Sequence, residues 1–216
     1  ATLLGKPDVG LVTLDEMVMM SRYIASAVSI PAIADADTGY GNAINVIRTV
    51  EDFIRSGVAG IHIEDQVAPK RCGHVAGKQI IPIEEAYGKF RAAARIRDEL
   101  DPDFVLIART DARGVAGGSV QAVIERSQAY IDAGVDMIFP EGLTSKKEIA
   151  EVCEKVKAPI HYNRTGVSPM LTLDELNEMG IAMVSFATGA LRSGARAMWD
   201  FMHEFKKNDV AGQTAF

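Results

Sequence analysis

The sequence predicts a parallel α/β domain of the closed-barrel type, and three observations carry that reading. Short apolar runs that end in polar residues alternate with segments of helical periodicity. No Pro/Gly/Ser-rich linker or shift of composition interrupts the alternation, so one domain over residues 1–216 is expected. No glycine-rich dinucleotide fingerprint follows any strand, since Gly39, Gly41 and Asn42 lack its spacing, which disfavours an open nucleotide-binding sheet. A barrel of this kind has eight strands, whereas six are predicted here and the chain opens in a loop leading to a helix. The expectation is therefore a (β/α)8 TIM barrel lacking its first one or two βα units.

The first helix is expected over Thr13 to Val28, where Thr13 and Glu16 have capping-box spacing and Leu14, Met17, Val18, Ser21, Ile24 and Ala25 form one stripe. Strands follow at Ala32 to Asp37, Gly60 to Glu64, Phe104 to Thr110, Met137 to Pro140, Ile160 to Asn163 and Met183 to Phe186. Each is apolar enough to be covered on both faces. Between them lie helices near Asn42 to Ser56, Glu84 to Leu100, Val120 to Ala133, Ser145 to Lys157 and Leu173 to Met179, with Ala190 to Lys206 at the end. Ser145 with Glu148, and Thr172 with Glu175, repeat the capping-box spacing.

With 48% hydrophobic and 24% charged side chains, the 216-residue chain has the composition of a soluble globular protein. The formal charge of -6 comes from 23 basic and 29 acidic residues with no block of Lys and Arg, so neither nucleic acid nor an anionic membrane is an expected partner. No apolar run approaches the roughly 18 residues needed to span a bilayer, and Ala1 does not open a secretory signal. Two cysteines far apart, Cys72 and Cys153, fit a reducing compartment, and a cytoplasmic or organelle-matrix protein is expected.

The strand ends gather polar residues: Ala34-Asp35-Ala36-Asp37, Ile63-Glu64-Asp65, Ala108-Arg109-Thr110-Asp111, Phe139-Pro140-Glu141 and Tyr162-Asn163. In a parallel barrel all of these open on the face where active sites are built. Taken singly, each is better explained as a helix cap or turn former, and it is the set that points to a site. Asp35 and Asp37, two apart, are expected to share a strand face beside Glu64, and three crowded carboxylates repel unless a cation sits among them. Hard oxygen donors select Mg²⁺ or Mn²⁺ over zinc. The loop Lys70-Arg71-Cys72-Gly73-His74 flanks a thiol with cations, an arrangement expected to favour the thiolate; the alternative is a solvated basic loop with an incidental cysteine. Gly73 and Gly77, the latter followed by Lys78, allow that loop to act as a gate. Arg109 offers a planar fork for a carboxylate or phosphate, and Glu141 is placed to pair with it or to act as a base. Cys153, His62 and the Met17, Met19 and Met20 cluster read as packing residues, and His203 has no functional case.

The strings ADADTGYG (Ala34 to Gly41), GIHIEDQV (Gly60 to Val67), KRCGH (Lys70 to His74), ARTDA (Ala108 to Ala112) and FPEG (Phe139 to Gly142) resemble the isocitrate lyase and phosphoenolpyruvate mutase superfamily. KRCGH is similar to its lyase branch, of the 2-methylisocitrate and 2,3-dimethylmalate type. The resemblance implies a Mg²⁺-dependent (β/α)8 barrel with Asp35 as direct metal ligand and Asp37, Glu64 and Asp8 holding metal-bound waters. It also implies Cys72 as proton donor supported by Lys70 and His74, Gly73 and His74 at the substrate, Arg109 on a substrate carboxylate with Glu141 nearby, and Asn163, Arg164 and Thr165 contacting substrate. The segment Asn163-Arg164-Thr165-Gly166 departs from the Asn-x-Thr-Glu of methylisocitrate lyases, losing an acid and gaining a cation. A further substrate loop of the family precedes the equivalent of Ala1. The expected activity is cleavage of a 2-hydroxy di- or tricarboxylate to a 2-keto acid, in a homo-oligomer, a tetramer by the same resemblance. Oxaloacetate hydrolysis or decarboxylation, phosphonate C–P chemistry and a non-catalytic assembly subunit are the competing readings, and the cysteine disfavours the phosphonate one.

Overall fold

A computed structural model describes residues 2–73, 75–165 and 168–208. A 3-10 turn at Thr2–Leu4 precedes α1 (Leu14–Ala27), after which strands and helices alternate: β1 (Ile33–Asp35), α2 (Ala43–Ser56), β2 (Gly60–Glu64), α3 (Ile83–Leu100), β3 (Val105–Thr110), α4 (Val120–Asp132), β4 (Met137–Pro140), α5 (Lys146–Lys155), β5 (Ile160–Asn163), α6 (Leu173–Glu178), β6 (Ile181–Ser185) and α7 (Gly189–Asn208). The strands form one sheet in chain order, β1-β2-β3-β4-β5-β6, and the pairings from β1 to β5 are parallel. Two compact units divide the chain, residues 1–184 and 185–216.

Local chemistry explains the helix starts. Thr13 and Thr172 each accept a hydrogen bond from the backbone N–H three residues on, and the Glu16 and Glu175 carboxylates accept one from the cap N–H in return. At α5 only half of the expected box forms: Ser145 accepts from Glu148 N, while the Glu148 carboxylate accepts from Thr144 N and Arg113 instead. Asn42 and Asn45 make a further reciprocal cap at α2. In α2, Val46, Val50 and Phe53 are fully buried against Ile61 and Ile63 of β2, and burial of such side chains contributes roughly 1.5–3 kcal/mol each. Ile24, expected on the buried stripe of α1, lies half exposed, whereas Leu14, Met17, Val18 and Ala25 do pack on the core.

β1 is shorter than the sequence predicts, and the reason bears on the site. The strand ends at Asp35; Asp37 turns into the left-handed region with φ 51, and its N–H donates to Asp35 Oδ1 at 2.8 Å. The expectation that Asp35 and Asp37 share a strand face is therefore corrected: Asp37 belongs to the turn beyond the strand. Gly39 completes that turn at φ 83, where a Cβ would lie 2.6 Å from Val46 Cγ2. In the second unit, α7 pairs Arg196 with Asp200 at 2.9 Å and stacks Trp199 on His203 with ring centroids 4.4 Å apart. Among the described residues no helix is long and apolar enough to cross a membrane.

Candidate active site

Strand register explains how the site is assembled. Glu64 on β2 is the partner of Arg109 on β3, and paired residues on parallel strands point to the same face, so their side chains meet with Arg109 Nε 3.1 Å from Glu64 Oε2. The Arg109 guanidinium also donates to both oxygens of Asp111, Nε to Oδ2 at 3.0 Å and Nη2 to Oδ1 at 3.2 Å. It lies 5.1 Å from the Phe139 ring centroid, and its Nη1 is 3.7 Å from Glu141 Oε2. Glu141 in turn accepts from Asn163 Nδ2 at 3.2 Å and from Gly142 N at 3.1 Å. The ends of β2, β3, β4 and β5 thus supply one connected polar cluster. Burial opposes the charge of Arg109, but Glu64, Asp111 and Glu141 outweigh it and raise its pKa.

Beside this cluster is an acidic cradle. Lys70 Nζ stands 2.9 Å from Asp8 Oδ1, 2.9 Å from Asp37 Oδ1 and 3.9 Å from Glu64 Oε1. Asp35 completes it, with Oδ1 3.7 Å from His62 Nδ1. Burial pushes the Glu64 carboxyl up to about 8 against the pull of Arg109 and Lys70, and it raises Asp37 as well, with Asp35 and Asp8 adding to it against Lys70. For Asp35, burial opposes ionisation but His62, Lys70, the Asp37 N–H and Arg109 outweigh it, leaving the carboxyl below its ordinary value. Glu64 Oε1 is buried and accepts no hydrogen bond, and Asp37 Oδ1, though faced by the ammonium, accepts none with directed geometry. Hard carboxylate donors with a buried, unsatisfied oxygen suit Mg²⁺ or Mn²⁺, which take oxygen ligands and retain waters. The residues implied for the metal, Asp35, Asp37, Glu64 and Asp8, stand near Lys70 and His62, while among the described residues no three such groups are drawn together to the spacing of a metal centre.

Cys72 rides on an excursion between β2 and α3 that is fastened at its base by a bridge between Gln66 and Ile80. Gln66 also holds the loop from within, donating from Nε2 to Arg71 O at 2.9 Å and accepting from Arg71 N at 3.0 Å. The flanking cations are engaged elsewhere: Lys70 in the acidic cradle, and Arg71 on Ala76 O at 3.2 Å. Gly73 packs so closely over the strand ends that a Cβ there would lie 2.5 Å from Arg109 Nη2 and 2.9 Å from Glu141 Cγ. His74, and the Gly166 of the departing segment, lie outside the described residues. Thr165 uses its hydroxyl in a local turn, 2.8 Å from Ser168 Oγ, and Ser168 Oγ donates to Asn163 O at 2.8 Å. Arg164, next to this turn in sequence, is partly buried.

Several contributors were not singled out from the sequence. Lys78 Nζ, 2% exposed, donates to Asp111 Oδ1 at 2.7 Å and to Gly73 O, so it ties the loop to the partner of Arg109. Arg109 and Lys78 overcome burial and keep Asp111 below its ordinary pKa. Asp65 is the hub behind them, accepting from Thr110 Oγ1 at 2.7 Å, Asp111 N at 2.9 Å, Arg126 Nη1 at 3.1 Å and the Tyr130 hydroxyl at 2.7 Å. A signal existed for Asp111 and Asp65, since both stand at strand ends; Lys78, 33 positions from its partner, gave none.

The phosphoenolpyruvate phosphomutase family matches residues 1–206. The chain belongs to that family. Among its relatives, the 2-methylisocitrate lyase of Aeropyrum pernix is 45% identical over 93% of this chain and 64% of its own length, and the 2,3-dimethylmalate lyase of Eubacterium barkeri is 41% identical over 97% and 72%. This member of the phosphoenolpyruvate phosphomutase family thus spans about two thirds of the length of those relatives. Oxaloacetate acetylhydrolase, solved with 3,3-difluorooxalacetate, matches 100% of this chain and 73% of its own at 38% identity with a TM-score of 0.94. A phosphonopyruvate hydrolase solved with oxalate and Mg²⁺ matches 99% and 74% at 31% identity with a TM-score of 0.87. The α/β barrel-type architecture expected from the sequence is that of the family.

Proposed function

We propose that this chain carries a magnesium-dependent carbon–carbon lyase site that cleaves a 2-hydroxy di- or tricarboxylate, of the 2-methylisocitrate or 2,3-dimethylmalate type, into a 2-keto acid such as pyruvate and a second carboxylate. The observation that carries this reading is the approach of Gly73, next to Cys72, onto Arg109 and Glu141, which brings the loop that bears the Cys72 thiol over the strand ends. The relatives named as lyases support the reaction class.

Asp35, Asp37, Glu64 and Asp8 would hold magnesium, and the ion would supply a Lewis acid that stabilises negative charge on the substrate. Arg109 binds a substrate carboxylate, held in place by Asp111, and Asn163 contacts substrate beside Glu141. The 2-hydroxyl gives its proton to a base as the C2–C3 bond breaks, so that C2 becomes the keto carbon and the electron pair remains on C3. The Cys72 thiol delivers its proton to C3, and solvent restores it. Lys70 and His74 support that loop, and Arg164 and Thr165 border the substrate end of β5.

Purified protein supplied with 2-methylisocitrate, 2,3-dimethylmalate, isocitrate and oxaloacetate should release a 2-keto acid from one of the hydroxy acids, only with Mg²⁺. Release of oxalate from oxaloacetate alone would favour the second reading, hydrolysis, the reaction class of the acetylhydrolase that shares this fold.

A further inference from the structure

The acidic cradle already holds a cation, and that cation belongs to the chain. Lys70 Nζ lies within 2.9 Å of both Asp8 and Asp37 on a side chain only 7% exposed. The carboxylates of Asp8, Asp37 and Glu64 are arranged around that ammonium. The fit to that ammonium is incomplete. Glu64 Oε1, on a side chain 3% exposed, is 3.9 Å from Nζ and has no hydrogen-bond partner. A divalent ion among the same oxygens would stand within a few ångströms of Nζ, where two positive charges repel strongly in a partly desolvated setting.

We propose that Lys70 is a resident counter-cation that a divalent metal must displace, so that its ammonium and the metal occupy the cradle in alternation. The inference rests on the metal-dependent reading above. By linkage, whatever stabilises the Lys70 contact weakens metal binding, and metal binding frees the Lys70 end of the Cys72 loop. The ammonium keeps the carboxylates from repelling one another while no metal is bound, and its departure gives the loop a charged group that is otherwise committed.

The test measures metal binding without substrate. Lys70→Met keeps the apolar stem and removes the charge. It should bind Mn²⁺, followed by the resonance signal of the free ion, at least 10-fold more tightly than the unaltered protein, while Lys70→Arg should stay within about threefold of it. Without metal, Lys70→Met should melt at a lower temperature and gain more from added Mg²⁺. In case that variant fails to fold, the unaltered protein supplies a second reading: amine-reactive labelling of Lys70, located by mass spectrometry, should rise several-fold on saturation with Mg²⁺. Equal or weaker Mn²⁺ binding by folded Lys70→Met, or labelling unchanged by metal, overturns the proposal. Should neither protein bind metal, the proposal and the metal assignment fall together, whereas the keto-acid assay judges the lyase reaction separately.

Discussion

Asp35 accepts the Asp37 N–H at 2.8 Å and is held below its ordinary value, with burial overcome by His62 and Lys70. It is therefore a carboxylate ready to meet a cation directly. Asp35→Ala should abolish keto-acid release and remove the rise in melting temperature that Mg²⁺ confers, because a ligand stabilises only the state that binds it. Asp37→Ala should weaken metal binding less. An Asp35→Ala enzyme equally active with and without Mg²⁺ would sink the assignment. For Cys72, replacement by Ser keeps the geometry but makes a far weaker acid, so kcat should fall by about 10²–10⁴-fold with KM little changed. Cys153, half-buried on α5 with burial pushing its thiol up, should tolerate Ser without catalytic loss. Similar losses in both variants, with folding intact, would remove the special role of Cys72.

At the scale of elements, the loop between β2 and α3 is secured at two depths: the Gln66–Ile80 bridge at its base and Lys78 on Asp111 further in. Lys78→Met leaves Asp111 paired with Arg109 alone, and breaking such a buried pair costs on the order of 3 kcal/mol. The expected outcome is a lower melting temperature, faster tryptic cleavage after Arg71 and a raised KM; unchanged cleavage at Arg71 would show that the loop is held by other contacts. Much of this layout was legible in the sequence. β2, β4 and β5 fall on their expected residues because short, largely apolar runs give way there to polar residues, at Glu64, Glu141 and Asn163. β1 was overextended because alternation along Ala34-Asp35-Ala36-Asp37 mimics a strand, whereas local hydrogen bonding by Asp35 folds it into a turn. The strand-end residues Glu64, Arg109, Glu141 and Asn163 were readable one by one. Their mutual pairing, and the use of Lys70 as a counter-cation, follow from register and loop path, which no local pattern encodes.

For the molecule as a whole, stability should depend on pH through His161. Burial, with His62 and Arg109 adding to it, pushes this β5 imidazole down to about 3, and its ring packs on Phe139 with centroids 4.3 Å apart. The folded state then binds fewer protons than the unfolded state between about 3 and 6.5, so this contribution is fully present above 6.5 and is lost as pH falls through that window. Lowering the pH from 6.5 to 5 should cost about 2 kcal/mol in urea unfolding at this one group. His161→Phe should flatten that part of the profile, and an equally steep profile in the variant would assign it to other groups. The strand order has a consequence for how the molecule is made. Each of β1 to β5 pairs only with its neighbours in sequence, so the sheet can lengthen unit by unit as the chain leaves the ribosome. Arg109, however, cannot reach its final electrostatic setting until Glu141 arrives on the next unit, and Glu141 must in turn await Asn163. Nascent chains would therefore pass through a stage in which the sheet is laid down while its polar cluster is still incomplete.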